Sequence, residues 1–187
     1  MLRLDLTHIP KLSTPRLILR ELVDEDAPAL FELRSNPAVM RFIPKPLNTS
    51  TDESRLMVRE FRQASQRSEA IMWGITVKGS KQVMGYIGFW RIIKEHHRAE
   101  IGYALHPDLW GQGLMSESLS AVMDHGFRKM RLHSVEAAVT PDNLSSIHVL
   151  ERNGFVKEGH FKENFRAHGV FVDSVIYSRL TPVKDTK

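Results

Sequence analysis

The chain has no cysteine among its 187 residues, which excludes disulfides, thiolate metal sites and a cysteine nucleophile together. It also has no apolar run long enough to cross a bilayer, and Met1 to Arg20 lacks the charged-then-apolar pattern of a signal peptide. A cytoplasmic protein without a membrane partner is expected. Basic tracts are scarce as well. Formal net charge is +4, from 26 Lys and Arg against 22 Asp and Glu. The only tight cationic group is Arg128-Lys129-Met130-Arg131, and no aromatic residue interleaves with it. Direct nucleic-acid binding is therefore not expected, whereas cations of this kind suit a helix C-terminus or attract a polyanionic cofactor. The nine histidines form no ligand set: His96 and His97 alternate across a strand, and no pair has helical spacing plus an acidic third partner. No metal is expected.

What is present is 42% hydrophobic content with no repeat, low-complexity tract or linker, which fits a single domain over 1–187. Leu17 to Leu22 reads as a first strand. Asp24-Glu25-Asp26 precedes a helix through Ala29, Leu30 and Leu33 that stops at Asn36-Pro37, and Thr51 to Ser54 caps a second helix running toward Arg67. Three antiparallel strands follow, Ile71 to Val77, Val83 to Ile93 and Ala99 to Leu105. Met115, Leu119, Val122, Met123 and Phe127 then recur at helical spacing. After a strand from His133 to Val139 comes a short helix with Ile147 and Leu150 inward, then strands Val156 to Lys162 and Val170 to Leu180. The order β-α-α-β-β-β-α-β-α-β-β predicts an α/β fold, a mixed, mostly antiparallel central sheet with helices on both faces.

Trp110-Gly111-Gln112-Gly113-Leu114-Met115-Ser116 opens the third long helix. As a dinucleotide fingerprint it fails at Ser116, where a third glycine is needed, and it follows no parallel βαβ unit. As a P-loop it lacks the closing Gly-Lys-Ser/Thr. Two readings survive, a plain helix start and an anion site built from backbone N–H groups and the helix dipole. Downstream, Asn143-Leu144-Ser145-Ser146 and Glu151-Arg152-Asn153-Gly154-Phe155 bracket the short helix. Asn143 is a good N-cap and Gly154 an ordinary helix stop.

Taken together these segments resemble the GNAT superfamily of acyl-CoA-dependent N-acyltransferases, and look most like its Rim-type branch, which acetylates ribosomal-protein N-termini. The resemblance runs through Thr14-Pro15-Arg16-Leu17-Ile18-Leu19-Arg20, Gly85-Tyr86-Ile87-Gly88, Ala99 to Leu105, Trp110 to Gly113 and Asn143 to Phe155, in that order. It implies acetyl-CoA as co-substrate. The pyrophosphate would rest on Gly111, Gln112, Gly113, Met115 and Ser116, and the pantetheine arm on the backbone of Leu105 and His106 and on the Asn143 side chain. A homodimer is common in this branch.

The same resemblance makes Glu100, on the strand before the glycine turn, the candidate base. The alternatives are a sheet carboxylate paired with Arg98 or another cation, and a grip on the substrate ammonium. Many members protonate the leaving thiolate with a tyrosine seven residues after the asparagine, where this chain has Leu150. Ser146 is the nearest hydroxyl by motif. Met115 replaces the usual small residue of the turn; its amide remains available while its side chain is expected in the core. Trp73, Trp90 and Trp110 are expected in the core or a pocket wall, and His106 and His148 as structural histidines near the site. The implied reaction is direct acetyl transfer to a primary amine, most simply a protein N-terminal α-amine. A small-molecule amine is the alternative acceptor, and a non-catalytic acyl-CoA-binding module the alternative class.

Overall fold

The structure, a computed structural model, describes residues 2, 4–167 and 169–183. Eight strands form one sheet: β1 (Leu12–Ser13), β2 (Leu17–Glu21), β3 (Ile71–Val77), β4 (Val83–Ile93), β5 (Arg98–Leu105), β6 (Ser134–Val139), β7 (Val156–Ala167) and β8 (Val170–Leu180). Their spatial order is β1-β2-β3-β4-β5-β6-β8-β7. Every neighbouring pair is antiparallel except β5 and β6. That one parallel pair exists because α4 (Leu114–Arg128) carries the chain from the end of β5 back to the start of β6.

The expected alternation across strands sorts the core onto two faces. Ile71, Trp73 and Ile75 of β3 join Ile87 and Phe89 of β4 in the cluster under α4, whose Leu119 and Val122 are fully buried. Burying one such side chain contributes about 1.5–3 kcal/mol. Met72, Val83, Tyr86 and Ala104 face the other way, against Leu30 and Leu33 of α1 (Ala27–Arg34) and Val58 of α3 (Thr51–Gln66). Helices thus cover both faces, with α5 (Leu144–Arg152) beside α4.

Three features go beyond the sequence expectation. β1 adds a short edge strand paired to β2. Pro37 ends α1 but also starts α2 (Pro37–Met40), because Asn36 Oδ1 caps the Ala38 N–H at 2.9 Å and a proline at the first helical position loses no hydrogen bond. β7 extends five residues past Lys162 to Ala167, through an irregularity between Phe161 and Phe165 where Glu163 has φ 46°. His96 lies in a 3₁₀ turn between β4 and β5 rather than on a strand, and His97 follows it with φ 50°. Among the described residues no cluster of three or more potential metal ligands occurs, and no helix is long and apolar enough to cross a membrane.

Candidate active site

Parallel pairing of β5 with β6 covers only Arg98↔Ser134, Ala99↔Val135 and Glu100↔Glu136. Beyond Glu100 the two strands part, because β5 stays on β4 as far as Leu105 while β6 continues on β8. A wedge opens in the middle of the sheet. The His106 N–H donates to Met84 O at 2.7 Å, which fixes the phase of the β4–β5 ladder. By the alternation of antiparallel pairs, Tyr103 and Leu105 then direct their backbone groups away from β4 and into the wedge. The Leu105 carbonyl accepts the Trp110 indole N–H at 2.7 Å, leaving the Leu105 N–H and both Tyr103 backbone groups facing the opening. His106 differs from expectation: its N–H is used by Met84 and its carbonyl by the Leu109 N–H.

At the wide end of the wedge sits the glycine turn. Gly111 and Gly113 have φ 73° and 75°, a region only glycine enters freely. A side chain at Gly111 would meet no atom within 4 Å, so its outer surface is open. The first helical bond of α4 runs from the Glu117 N–H to Gly113 O at 3.1 Å. The N–H groups of Leu114, Met115 and Ser116 therefore have no partner among the described residues, and Gly113 as N-cap has no side chain to supply one. This is an anion cradle at the positive end of a fifteen-residue helix. The Met115 side chain is buried in the core.

Arg16, which motif reading passed over as a binding residue, braces the cradle. Its Nη1 donates to Gln112 O at 3.0 Å and its Nε to Glu117 at 2.7 Å, while Glu117 also accepts from Thr14 Oγ1 and the Arg16 N–H. Gln112 is held by its own side-chain amide, which donates to Asp108 O. Ser116 accepts the Asn153 side-chain N–H at 2.8 Å, so the end of α5 is tied to the start of α4.

On the other bank of the wedge, Asn143 caps α5 by accepting the Ser146 N–H on Oδ1 at 3.2 Å. Its Nδ2 is not used among the described residues, so the cap on Oδ1 leaves the donor end of the amide available. Thr140 Oγ1, just before it, is buried without a partner. The Ser146 hydroxyl lies 2.7 Å from that of Tyr103, and burial pushes the Tyr103 phenol up to about 12. Leu150, seven residues after Asn143, is fully buried in the core.

Glu100 stands at the apex, on the last paired position, with its side chain 8% exposed. Its cation is Arg91 rather than Arg98: Arg91 Nη1 donates to Glu100 Oε2 at 3.1 Å, and Arg98 instead reaches Glu136 at 3.4 Å. Arg91 can reach back because the β4–β5 register shifts after Trp90 and Arg91 has φ 46°; its guanidinium lies over the Trp90 ring at 4.6 Å. Burial raises the Glu100 carboxyl above the usual range, Arg91 opposes this, and Glu136 adds to it. Trp90 and Trp110 are partly exposed, as wall residues would be, and Trp73 is core.

The unpaired amides, the open face of Gly111, the Asn143 Nδ2 without a partner among the described residues and the backbone of Tyr103 and Leu105 are polar groups placed around the wedge whose apex is Glu100. These residues suit a phosphorylated pantetheine thioester. The family model of the acetyltransferase (GNAT) domain matches residues 16–156. The uncharacterized N-acetyltransferase YoaA of Bacillus subtilis is 36% identical over 173 residues, 92% of this chain and 98% of that one. The ribosomal L7/L12 alpha-N-protein acetyltransferase RimL, solved in complex with coenzyme A, superposes with a TM-score of 0.84 at 30% identity, covering 91% of this chain and 98% of that chain. The spermidine N(1)-acetyltransferase of Escherichia coli is 26% identical over 158 residues, 84% of this chain and 82% of that one.

Proposed function

Because this chain belongs to the GNAT acetyltransferase family, we propose that it transfers the acetyl group of acetyl-CoA to the N-terminal α-amine of a protein, one resembling a ribosomal protein. The observation that carries this reading is the position of Glu100 at the apex of the β5–β6 wedge. There a buried carboxylate meets the end of the track on which the pantetheine arm would lie. Acetyl-CoA supplies an activated carbonyl and a thiolate leaving group; the chain supplies placement and proton handling.

Glu100 accepts a proton from the incoming amine, directly or through one water. Its raised basicity suits that task, and Arg91 favours the ionised form against the effect of burial. Freeing an α-amine at pH 7 costs roughly 1 kcal/mol, against about 4–5 kcal/mol for a lysine. A single carboxylate of modest strength matches the first demand better than the second. Leu114, Met115 and Ser116 hold the pyrophosphate through their N–H groups, Asn143 Nδ2 and the Tyr103 and Leu105 backbone hold the arm, and Ser146 faces the departing sulfur.

The spermidine-acetylating relative supports a second reading, a small polyamine as acceptor. Labelled acetyl-CoA offered with peptides of free N-terminus, N-blocked lysine peptides and spermidine separates them, with thiol release and product mass as readouts. Acetylation of the α-amine of the unblocked peptides is expected. Turnover of spermidine with inert peptides would replace this reading by the second. Acetyl-CoA binding without thiol release for any amine would make the chain a binding module.

A further inference from the structure

Arg34, the last residue of α1, is buried with 7% of its surface exposed. Its Nη1 donates to the Tyr86 hydroxyl at 3.4 Å, and its Nε is buried without a partner among the described residues. No carboxylate lies within ion-pair distance of it among the described residues, although Arg16, Arg20, Arg55, Arg59, Arg62, Arg67, Arg91, Arg98 and Arg128, all more exposed, each have one. An unpaired guanidinium inside a protein is costly, and each unsatisfied group of this kind calls for a partner. Nη2 has no partner among the described residues and is not enclosed as Nε is, so it is the nitrogen left to donate a charge-assisted hydrogen bond to a carboxylate.

The position of this nitrogen bears on the acceptor. Tyr86 and Trp90 share one face of β4, and their partners Ala104 and Glu100 share the same face of β5. Between these two pairs lie Gly88 and Gly102, opposite each other. A side chain at Gly102 would meet only the Trp90 indole, at 3.5 Å, so the β5 side of the surface between Glu100 and Tyr86 is bare, whereas one at Gly88 would run into Ile71 and Met72 of β3. Four residues of strand separate the Glu100–Trp90 pair from the Tyr86–Ala104 pair, roughly 13 Å. An amine presented to Glu100 and an anion presented to Arg34 are therefore on the order of 10 Å apart. A free α-amino acid carries both groups on one carbon and is too short. Spermidine has no anion and would place a cation before a cation. An extended peptide advances at most about 3.3–3.6 Å per residue, so its second to fourth side chain reaches Arg34.

We propose that Arg34 recognises a carboxylate side chain, and that the acceptor is a protein N-terminus with Asp or Glu within its first few residues. This rests on the N-terminal reading above. The test uses peptide pairs of identical N-terminus that differ only as Asp against Asn at the second, third or fourth position. They are assayed for thiol release with the intact protein and with Arg34→Gln and Arg34→Lys. For the unaltered protein, the Asp peptide of at least one pair should show a KM about 10- to 100-fold lower than its Asn partner, the range of a charge-assisted bond. Arg34→Gln should level the pair, and Arg34→Lys, which keeps the charge on a different stem, should restore part of the difference. Equal KM values within every pair for the unaltered protein overturn the proposal, whatever the variants do and even if they fail to fold. A preference that survives in folded Arg34→Gln overturns it too. Peptides acetylated without acid preference defeat this inference alone, whereas no turnover of any peptide defeats the N-terminal reading with it.

Discussion

The hydroxyl of Tyr103 lies 2.7 Å from the hydroxyl of Ser146, joining β5 to α5 at the wedge. Burial pushes the Tyr103 phenol up to about 12, whereas a thiol titrates near 8.5, so full proton transfer from the phenol to a leaving thiolate is uphill by roughly 5 kcal/mol. On the proposed reading the pair would act by hydrogen bonding, with Tyr103 orienting Ser146 and Ser146 donating to the sulfur as charge develops there. Ser146→Ala should lower kcat about 10- to 100-fold, the worth of a hydrogen bond to a charged group, with acetyl-CoA affinity nearly unchanged. Tyr103→Phe should have a smaller effect in the same direction. Steady-state kinetics together with calorimetric binding check both, and a Ser146→Ala enzyme of full kcat would remove the hydroxyl from the mechanism.

Glu100→Gln should reduce kcat by about 100-fold or more, in the range of lost general-base catalysis, while acetyl-CoA still binds. For the unaltered protein the acid limb of the kcat/KM profile should lie above the ordinary glutamate range, because burial raises this carboxyl. The same shift has a stability consequence with a definite sign. A carboxyl whose folded pKa exceeds its unfolded value favours the folded state fully below the unfolded value, and this contribution is lost as pH rises through the folded value. Glu100 ionised at neutral pH is thus a cost to the fold, and Glu100→Gln should raise Tm at pH 7 but not at pH 4. Melting curves at the two pH values decide it; a lower Tm at pH 7 would show that the Arg91 pair outweighs desolvation.

Asn143 offers Oδ1 to the Ser146 N–H and leaves Nδ2 free, which separates two roles by substitution. Asn143→Asp keeps the cap acceptor and loses the donor, so Tm should hold while acetyl-CoA binding weakens. Asn143→Ala loses both, and should cost about 1 kcal/mol of stability in addition. Thermal melts and titration calorimetry on the two variants provide the comparison, and undiminished acetyl-CoA binding by Asn143→Asp would leave Asn143 as a cap alone.

Much of this was legible because it is local. The stripe from Met115 to Phe127 fixed the buried face of α4, the alternation in Ile71 to Val77 sorted two cores, and Gly111 with Gly113 marked a turn of positive φ. Asn143 was legible as a cap for the same reason, since its acceptor lies three residues away. The contacts that complete the site are distant in the chain: Tyr103 meets Ser146 across 43 positions, Arg34 meets Tyr86 across 52, and Arg16 meets Gln112 across 96. No periodicity encodes such pairs, because sheet order and the crossover through α4 bring them together. The Arg91–Glu100 pair was hidden differently. A register shift turns Arg91 back toward β5, and nothing in the apolar pattern of β4 announces it.

The glycine turn gives the last prediction. Gly111→Ala and Gly113→Ala each force an L side chain to φ above 70°, at a cost of roughly 1–2 kcal/mol, and each should lower Tm by a similar amount. Their effects on acetyl-CoA should differ. The new methyl at Gly113 makes an ordinary contact with Arg16 Nη2 at 3.8 Å, whereas at Gly111 it projects into the space that a pyrophosphate would fill. Gly111→Ala should therefore weaken acetyl-CoA binding well beyond Gly113→Ala at comparable stability. Gly113→Asn supplies a control, because asparagine tolerates the left-handed region better than alanine, and it should recover part of the lost Tm. Matched melting and binding measurements on the three variants separate backbone strain from occlusion. Equal loss of binding in both alanine variants would mean that the turn acts through its conformation rather than its open face.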